Sequence, residues 1–398
     1  MPNDTLGLTN CDLEPIHIPG MIQPHGVLLV LQNPTLQIVQ VSSNTKEVLG
    51  YQPEELLGMA LSDLLGDRQV KEIRQCVGKE FEYANPLNIS IKRGKRSTYF
   101  DGIVHCVDLV VVLELERKKL KSKTNFLEFY QQVSGVITQI QKAPTLLKMS
   151  QAVVESMRRI TGFDRIMVYR FDQDGAGIVI AEDTNQATPY LHLHYPPTDI
   201  PKPARRLYTF SWLRLIADVN YTASPLIPRN NPITNRPLDL SCSVLRSVSP
   251  IHLEYMRNMG VAASMSISLI QDQKLWGLIA CHHTSPKYIP YQTRTLCEFI
   301  GQVMSVELAN KENNEEAEYK TYLKLLQGRF IEALTESKYF LDGILKLKDQ
   351  LLNLVNASGV VIFSGDQCTK AGEVPLEAEV RNLLSWVKPR LQNHLFKT

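Results

Sequence analysis

With 398 residues, 44% of them hydrophobic and 21% charged, the chain is long enough for two or three globular domains with real cores. Lys and Arg number 43 against 41 Asp and Glu, a formal net charge of +2, which excludes the basic balance of a nucleic-acid or anionic-membrane binder. The polar start MPNDTLGLTNCDLEP lacks the apolar core of a signal peptide, and the best apolar run, Val107 to Leu115, is too short to span a bilayer.

The first module spans about Ile16 to Leu115. Val27–Leu31 and Leu36–Val41 read as strands either side of the turn residues Asn33 and Pro34. Short helical pieces follow, punctuated by Gly50, Pro53, Gly58 and Gly66. Strands return at Leu87–Lys92, Tyr99–His105 and Val107–Leu115, with Lys92–Arg96 at a hairpin turn, an α+β order. The charged run Glu116–Lys123 reads as a solvated linker or helix start.

The second module begins with helices at Asn125–Ile140 and Thr145–Thr161. In the second, Leu146, Leu147, Met149, Val153, Val154 and Met157 fall at helical spacing and predict one buried face. Strands at Arg165–Arg170 and Gly177–Glu182 precede a proline-rich stretch, Tyr190 to Asp239. So long an irregular insertion within a compact domain is uncommon unless it has a function. Gly175 and Gly177 make a GxG without a third glycine, read as a turn. Helix Ile251–Met259, strands Ala263–Gln271 and Lys274–His283, and a helix from Tyr291 close the module.

That last helix runs on, with Leu296, Phe299, Ile300, Val303 and Met304 keeping the heptad-like spacing of a dimer seam and signal lever. The remainder shows a helix at Phe340–Asn356, one apolar strand at Gly359–Phe363 and a helix at Glu377–Leu391. One strand cannot make a sheet, so this third module is expected to be incomplete. Seven cysteines (11, 76, 106, 242, 281, 297 and 368) include no CxxC pair, which suits a reducing cytoplasm. Cys281-His282-His283 and His192-Leu193-His194 lack a fourth ligand at zinc spacing, so no metal is expected. No P-loop, kinase-type glycine loop or GxSxG elbow occurs, and a sensor rather than an enzyme is expected.

Several segments in order, CDLEPIHIPGMIQPHG, DRIMVYRFDQDGAG, LHYPPTDIP, ARRLY, SVLRSVSPIHLEYMRNMGVAASMSISL and LWGLIACHH, together resemble the bacteriophytochrome group of phytochromes. SSNTKEVLGYQPEELLG looks like a PAS domain, and LLNLVNASGVVIFSGDQCTKAGEVP looks like the opening of a PHY domain. The resemblance implies an α+β fold with an N-terminal segment (1–15), a PAS domain (16–123), a GAF domain (124–310), and a linker helix with a truncated PHY domain (311–398). A figure-of-eight knot that threads Ile22 through a GAF loop would join PAS to GAF.

The implied ligand is a linear tetrapyrrole with two propionates. Guanidinium matches carboxylate, and the resemblance places Arg214, Arg246, Ser249, Ser264 and Ser266 at the propionates. Ser264 and Ser266, two apart on a strand, share a face. Asp199, stiffened by Pro197 and Pro201, would aim its carbonyl at the pyrrole NH groups, with His252 helping to set protonation. Tyr169, Tyr195 and Tyr255 would wall the rotating ring, and His282 would hydrogen-bond its carbonyl. Ile200, Tyr208 and Ile251 are also implied as chromophore contacts.

Relatives that attach their bilin through a GAF cysteine carry it directly before the histidine, where this chain has Ile251-His252. The bacteriophytochrome group uses an N-terminal cysteine instead, matching Cys11 ahead of EPIHIPG. The resemblance therefore implies biliverdin IXα as a covalent thioether at Cys11, with light sensed by Z-to-E isomerisation and relayed to a histidine kinase. It also implies a cytoplasmic homodimer through GAF and linker helices. Without the PHY tongue, whose arginine meets the aspartate at 199 in relatives, an incomplete or rapidly reverting photoproduct is expected. His192 stands where the family commonly has glycine. Alternatives are a PAS-GAF regulator of a cyclic nucleotide or other small ligand, a dimerisation module, and an engineered near-infrared fluorescent fragment.

Overall fold

The computed structural model describes residues 14–77, 85–94, 96–118, 126–365 and 367–391. The chain divides into two compact units, Met1–Lys311 and Glu312–Thr398.

The first unit contains two antiparallel sheets. Its strands are β1 (Met21–Ile22), β2 (Gly26–Gln32), β3 (Gln37–Ser42), β4 (Asn85–Arg93), β5 (Arg96–Val107), β6 (Val110–Arg117), β7 (Arg165–Phe171), β8 (Gly177–Thr184), β9 (His194–Tyr195), β10 (Leu213–Ile216), β11 (Ser224–Ile227), β12 (Ala263–Gln271) and β13 (Lys274–His283). One seven-stranded sheet runs β1-β11-β3-β2-β6-β5-β4, and a six-stranded sheet runs β10-β12-β13-β7-β8-β9. A turn at Gly94 follows β4, which pairs with β5 where the hairpin was expected.

Strand β2 (GVLLVLQ) reads as an apolar run because both of its faces are covered. Val27, Leu29 and Leu31 pack toward α1 (Thr45–Val48), α2 (Pro53–Leu56), α3 (Leu61–Leu65) and α4 (Asp67–Val77). Leu28 and Val30 face the other way, against Leu226 and Leu238 of the proline-rich insertion and Leu240 and Leu245 just after it. The insertion thus supplies both a strand and a second core to the N-terminal sheet.

The N-terminal segment is held from two sides by that same insertion and the residues that follow it. Leu226 donates its amide to the Gly20 carbonyl, while Leu240 donates to His17 and Ser247 to Met21. Gln23 receives the insertion from its other edge, donating its amide to Leu245. Fully buried Ile22 lies between the two arms, with about 1.5–3 kcal/mol gained from burial of a side chain of this size. These contacts hold the segment on both of its edges.

Helices α5 (Phe126–Lys142), α6 (Leu146–Thr161) and the part of α9 (Tyr291–Thr335) that belongs to this unit cover one face of the six-stranded sheet. Thr145 caps α6, accepting the Lys148 amide at 3.2 Å, and Gly162 ends it in the left-handed region. Leu146, Met149, Val153, Val154 and Met157 are buried as the spacing predicts, but Leu147 is 57% exposed. It lies one residue past Leu146, about 100° round the helix from it. Phe299 likewise faces out at 42% exposure, although Leu296, Ile300 and Met304 are buried. The opposite face of the sheet meets α7 (Lys202–Phe210), α8 (Pro250–Asn258) and the irregular segments.

The charged run also departs from expectation. Glu116 is not solvated: it ends the buried part of β6 and pairs with Arg294. Strand β6 itself starts at Val110, after a turn in which Asp108 takes a positive φ of 48°.

The second unit, described by itself, contains the C-terminal part of α9, α10 (Phe340–Lys346), α11 (Lys348–Leu354), β14 (Gly359–Ser364), β15 (Gln367–Gly372) and α12 (Glu377–Val387). The single helix expected at Phe340–Asn356 is broken at Leu347, whose backbone (φ −115°, ψ 29°) leaves the helical region. The apolar strand has a partner after all. β14 pairs in full with β15, a polar QCTKAG strand that lacks the apolar alternation by which strands are recognised.

Candidate functional site

Alternation along β12 divides its side chains between two environments. Ala263, Met265, Ile267 and Leu269 enter the helical core, whereas Ser264, Ser266 and Ser268 point to the opposite face. Register carries that face across the sheet: Ser264 is opposite Ile216 and His282, and His282 is opposite Arg165. Ser266 is opposite Arg214 and Ala280, and Ser268 is opposite Leu278, itself opposite Tyr169. A polar, cationic end and an aromatic end therefore share one sheet surface.

At the cationic end, Arg214 donates Nε to Ser266 Oγ at 3.1 Å and Nη1 to Ser268 Oγ at 2.6 Å. Its guanidinium lies 3.9 Å over the Tyr208 ring of α7. Ser268 passes its own proton to the Tyr208 carbonyl at 2.7 Å. Arg246, between the insertion and α8, reaches the carbonyls of Leu240 and Ser241 at 3.3 and 3.2 Å. Among the described residues neither arginine forms an ion pair with a carboxylate, and Arg214 Nη2 is buried without a hydrogen-bond partner. Burial, with Arg246 nearby, lowers Arg214 to about 10. A guanidinium stays charged in proteins, so the shift marks a cation short of solvation.

Ser249, the residue before α8, takes a different partner from the arginines. It donates to Glu14 Oε2 at 2.7 Å.

The aromatic end is built around Tyr169, Tyr195 and Phe171. Tyr169 and Tyr195 have ring centroids 5.7 Å apart, and Tyr169 meets Phe171 edge-on at 5.1 Å. Burial raises both tyrosines to about 12, with Asp199 adding to Tyr169 and Tyr190 to Tyr195. Gly177 lets this packing happen: a Cβ there would lie 1.9 Å from Tyr169 Cζ. Gly175, with φ of +83°, makes the expected turn. Ile200 and Tyr208 pack on the same cluster.

Asp199 closes a single 3₁₀ turn, Pro197–Asp199. Arg205 holds that turn by donating to the carbonyls of Ile200 (2.6 Å), Pro197 (2.8 Å) and Gly175 (2.6 Å). The Asp199 carboxylate accepts the Tyr255 hydroxyl at 2.9 Å. His252, one turn earlier on α8 beside Ile251, has its ring nearly parallel to Tyr255, centroids 6.1 Å apart. Burial lowers His252 to about 4. Burial, Arg165 and then His252 lower His282 to the same value, and His282 Nδ1 is buried without a partner in the chain.

The structure thus gathers Tyr169, Tyr195, Asp199, Ile200, Tyr208, Arg214, Ser266, His252, Tyr255, Ser264 and His282 about one sheet face, with Arg246 and Ser249 on the segments beside it. Cys11 lies outside the described residues. Sequence reasoning missed Ser268, though the Ser264–Ser266 alternation pointed to it, and Glu14, for which no local pattern exists. It also gave no reason for His192 in place of glycine. His192 has a φ of 67°, the left-handed region that favours glycine. Among the described residues no group of three or more His, Cys, Asp or Glu is arranged to hold a metal ion, and no helix is long and apolar enough to cross a membrane.

Comparison with known proteins matches a PAS fold over residues 11–118, a GAF domain over 145–310 and a phytochrome region over 323–398. Cyanobacterial phytochrome B of Nostoc sp. is 46% identical over 394 residues, covering 98% of this chain and 52% of that protein. A bacteriophytochrome of Pseudomonas aeruginosa is 40% identical over 312 residues, covering 78% and 42%. Among solved structures, the wild-type photosensory core module of Stigmatella aurantiaca phytochrome superposes with a TM-score of 0.76 at 42% identity, covering 96% of this chain and 76% of that one. The chromophore-binding domain of an unusual bacteriophytochrome from R. palustris gives a TM-score of 0.72 at 42% identity, covering 77% and 99%. The chain spans about half the length of the curated relatives it matches, 52% for the first of them.

Proposed function

The chain belongs to the phytochrome family, and from that premise we propose that it is a red/far-red light sensor holding biliverdin IXα as a thioether at Cys11. The observation that carries this reading is the pair of buried guanidiniums, Arg214 and Arg246, neither of which forms an ion pair with a carboxylate among the described residues. Buried cations persist when a ligand completes them, and a bilin offers two propionates.

The residues fit such a group on independent grounds. Arg214 Nη2, on β10, and His282 Nδ1, on β13, are buried polar atoms with nothing in the chain to satisfy them. The same face carries an apolar and aromatic cluster that includes Ile200, and Arg205 fixes the backbone of the Asp199 turn. When bound, the pigment supplies light absorption and double-bond isomerisation. Arg214 and Arg246, with Ser264, Ser266 and Ser268, bind and orient carboxylates. Neutral His252 and His282 offer one donor and one acceptor nitrogen each. Tyr255 holds Asp199 in place, and Tyr169 and Tyr195 exclude water from the aromatic end.

Attachment at Cys11 is supported by Glu14, three residues further on, whose carboxylate is anchored on Ser249. Covalent geometry keeps the two Cα atoms within about 11 Å. In the GAF segment, Ile251 precedes His252 and offers no thiol. We assign relay to a histidine kinase, homodimerisation through GAF and linker helices, and a cytoplasmic location to the whole receptor on the family's pattern.

Titrating purified apoprotein with biliverdin tests the reading. Red absorbance should develop in the wild type, and Arg214→Ala should weaken binding about 10- to 100-fold, the loss of one bidentate carboxylate pair. No red absorbance in the wild type would favour the small-ligand regulator instead.

A further inference from the structure

Arg165 opens β7 directly opposite His282 on β13. Its side chain is almost wholly buried and lies 2.9 Å from Glu182 Oε1 on β8, itself shielded from solvent. The same guanidinium lies 3.5 Å over the Tyr190 ring centroid and donates to the Thr188 carbonyl. The second oxygen of Glu182 accepts the backbone amides of Tyr190 at 2.8 Å and Leu191 at 2.9 Å. One ion pair therefore grips the 188–191 segment by a ring, a carbonyl and two amides. That segment continues through left-handed His192 into β9, which carries Tyr195.

A buried ion pair is weak evidence of a stabilising role, because apolar replacements of equal volume do as well. This pair is set apart by its two neighbours, a histidine that titrates and a segment that walls the aromatic end. We propose that Arg165 and Glu182 are positioning residues of the light-sensing site: Arg165 sets a cation opposite His282, and the pair fixes Tyr190 to Tyr195 over the aromatic end. The inference rests on the bilin-binding reading of that face. Its electrostatic part follows from what surrounds His282, namely burial, Arg165 from β7 and His252 from α8, all of which disfavour the imidazolium. Glu182 faces Arg165 from its far side and tempers that field.

Histidine NMR of the isotopically labelled apoprotein tests this without pigment. In Arg165→Gln a cation is removed and Glu182 is left without its partner, so the His282 titration midpoint should rise by about 1 pH unit or more. Adding Glu182→Gln should take back part of that rise, and Arg165→Lys, which keeps the charge, should restore the wild-type midpoint. An unmoved midpoint in folded Arg165→Gln overturns the proposal. Should that variant not fold, near-isosteric Glu182→Gln serves in its place. Hydrogen exchange at the Tyr190 and Leu191 amides should then speed up about tenfold or more, and unchanged exchange overturns the proposal. Failure of the wild type to gain red absorbance with biliverdin defeats the light-sensor reading instead, and leaves the His282 midpoint as a separate result.

Discussion

Ser249 donates its hydroxyl to the Glu14 carboxylate at 2.7 Å across 235 residues of sequence. This contact brings the segment that follows Cys11 to the start of the helix bearing His252 and Tyr255. Glu14→Ala should release it. A hydrogen bond to a charged, partly exposed group is worth about 1 kcal/mol, so covalent attachment of biliverdin should slow about fivefold, as read by adduct formation over time. An unchanged rate would separate the Glu14 anchor from attachment.

Arg294 and Glu116 make a buried pair that joins the first turn of α9 to β6, with Tyr288 donating to the same carboxylate at 2.6 Å. Arg294→Gln strands a carboxylate with no access to water. Breaking such a pair costs about 3–5 kcal/mol, to be measured by urea denaturation. A loss below about 1 kcal/mol would mean that water or another cation reaches Glu116.

That pair shows where sequence reading stops. A run of charges reads as solvated because most runs are, and Glu116 differs through partners 172 and 178 positions away. The strands β12 and β13 were legible to the residue, since their apolar-polar alternation records two opposed environments. The same alternation contained Ser268, yet a serine flanked by Ile267 and Leu269 reads as core until Arg214 is seen to bond it. Strand β15 was hidden for the converse reason: its residues are mostly exposed, and burial wrote no pattern into them.

Glu114 is fully buried on β6, accepting from Ser243 Oγ at 2.6 Å and from the amides of Val244 and Leu245 at 3.1 and 2.8 Å. Burial nonetheless raises it to about 7. A carboxyl with a raised folded-state value binds more protons folded than unfolded, so its contribution falls as pH rises from about 4.5 to about 7. The histidines act oppositely. His105, His252 and His282, lowered to about 4, contribute stability that is lost as pH falls from 6.5 toward that value. Comparing wild type with Glu114→Gln cancels most of the histidine part. The wild type should lose on the order of 2 kcal/mol relative to the variant between pH 5 and pH 7, by denaturant midpoint at each pH. A flat difference would contradict a carboxyl titrating in that window.

His192 pays for its left-handed backbone with strain that glycine would not have. Exposed on the loop before β9, it can be replaced without opening a cavity. His192→Gly should stabilise the fold by about 0.5–1 kcal/mol, seen as a higher urea midpoint at unchanged slope. A lower midpoint would show that the imidazole makes a compensating interaction.

The central claim is that one face of the six-stranded sheet holds a bilin anchored from the N-terminal segment. Biliverdin addition to apoprotein, followed by denaturing electrophoresis with zinc-induced fluorescence, compares wild type with Cys11→Ser most directly. A fluorescent wild-type band that is lost in Cys11→Ser is the expected result. A band that survives in Cys11→Ser would contradict the anchor, and a wild type with neither band nor red absorbance would contradict the receptor itself.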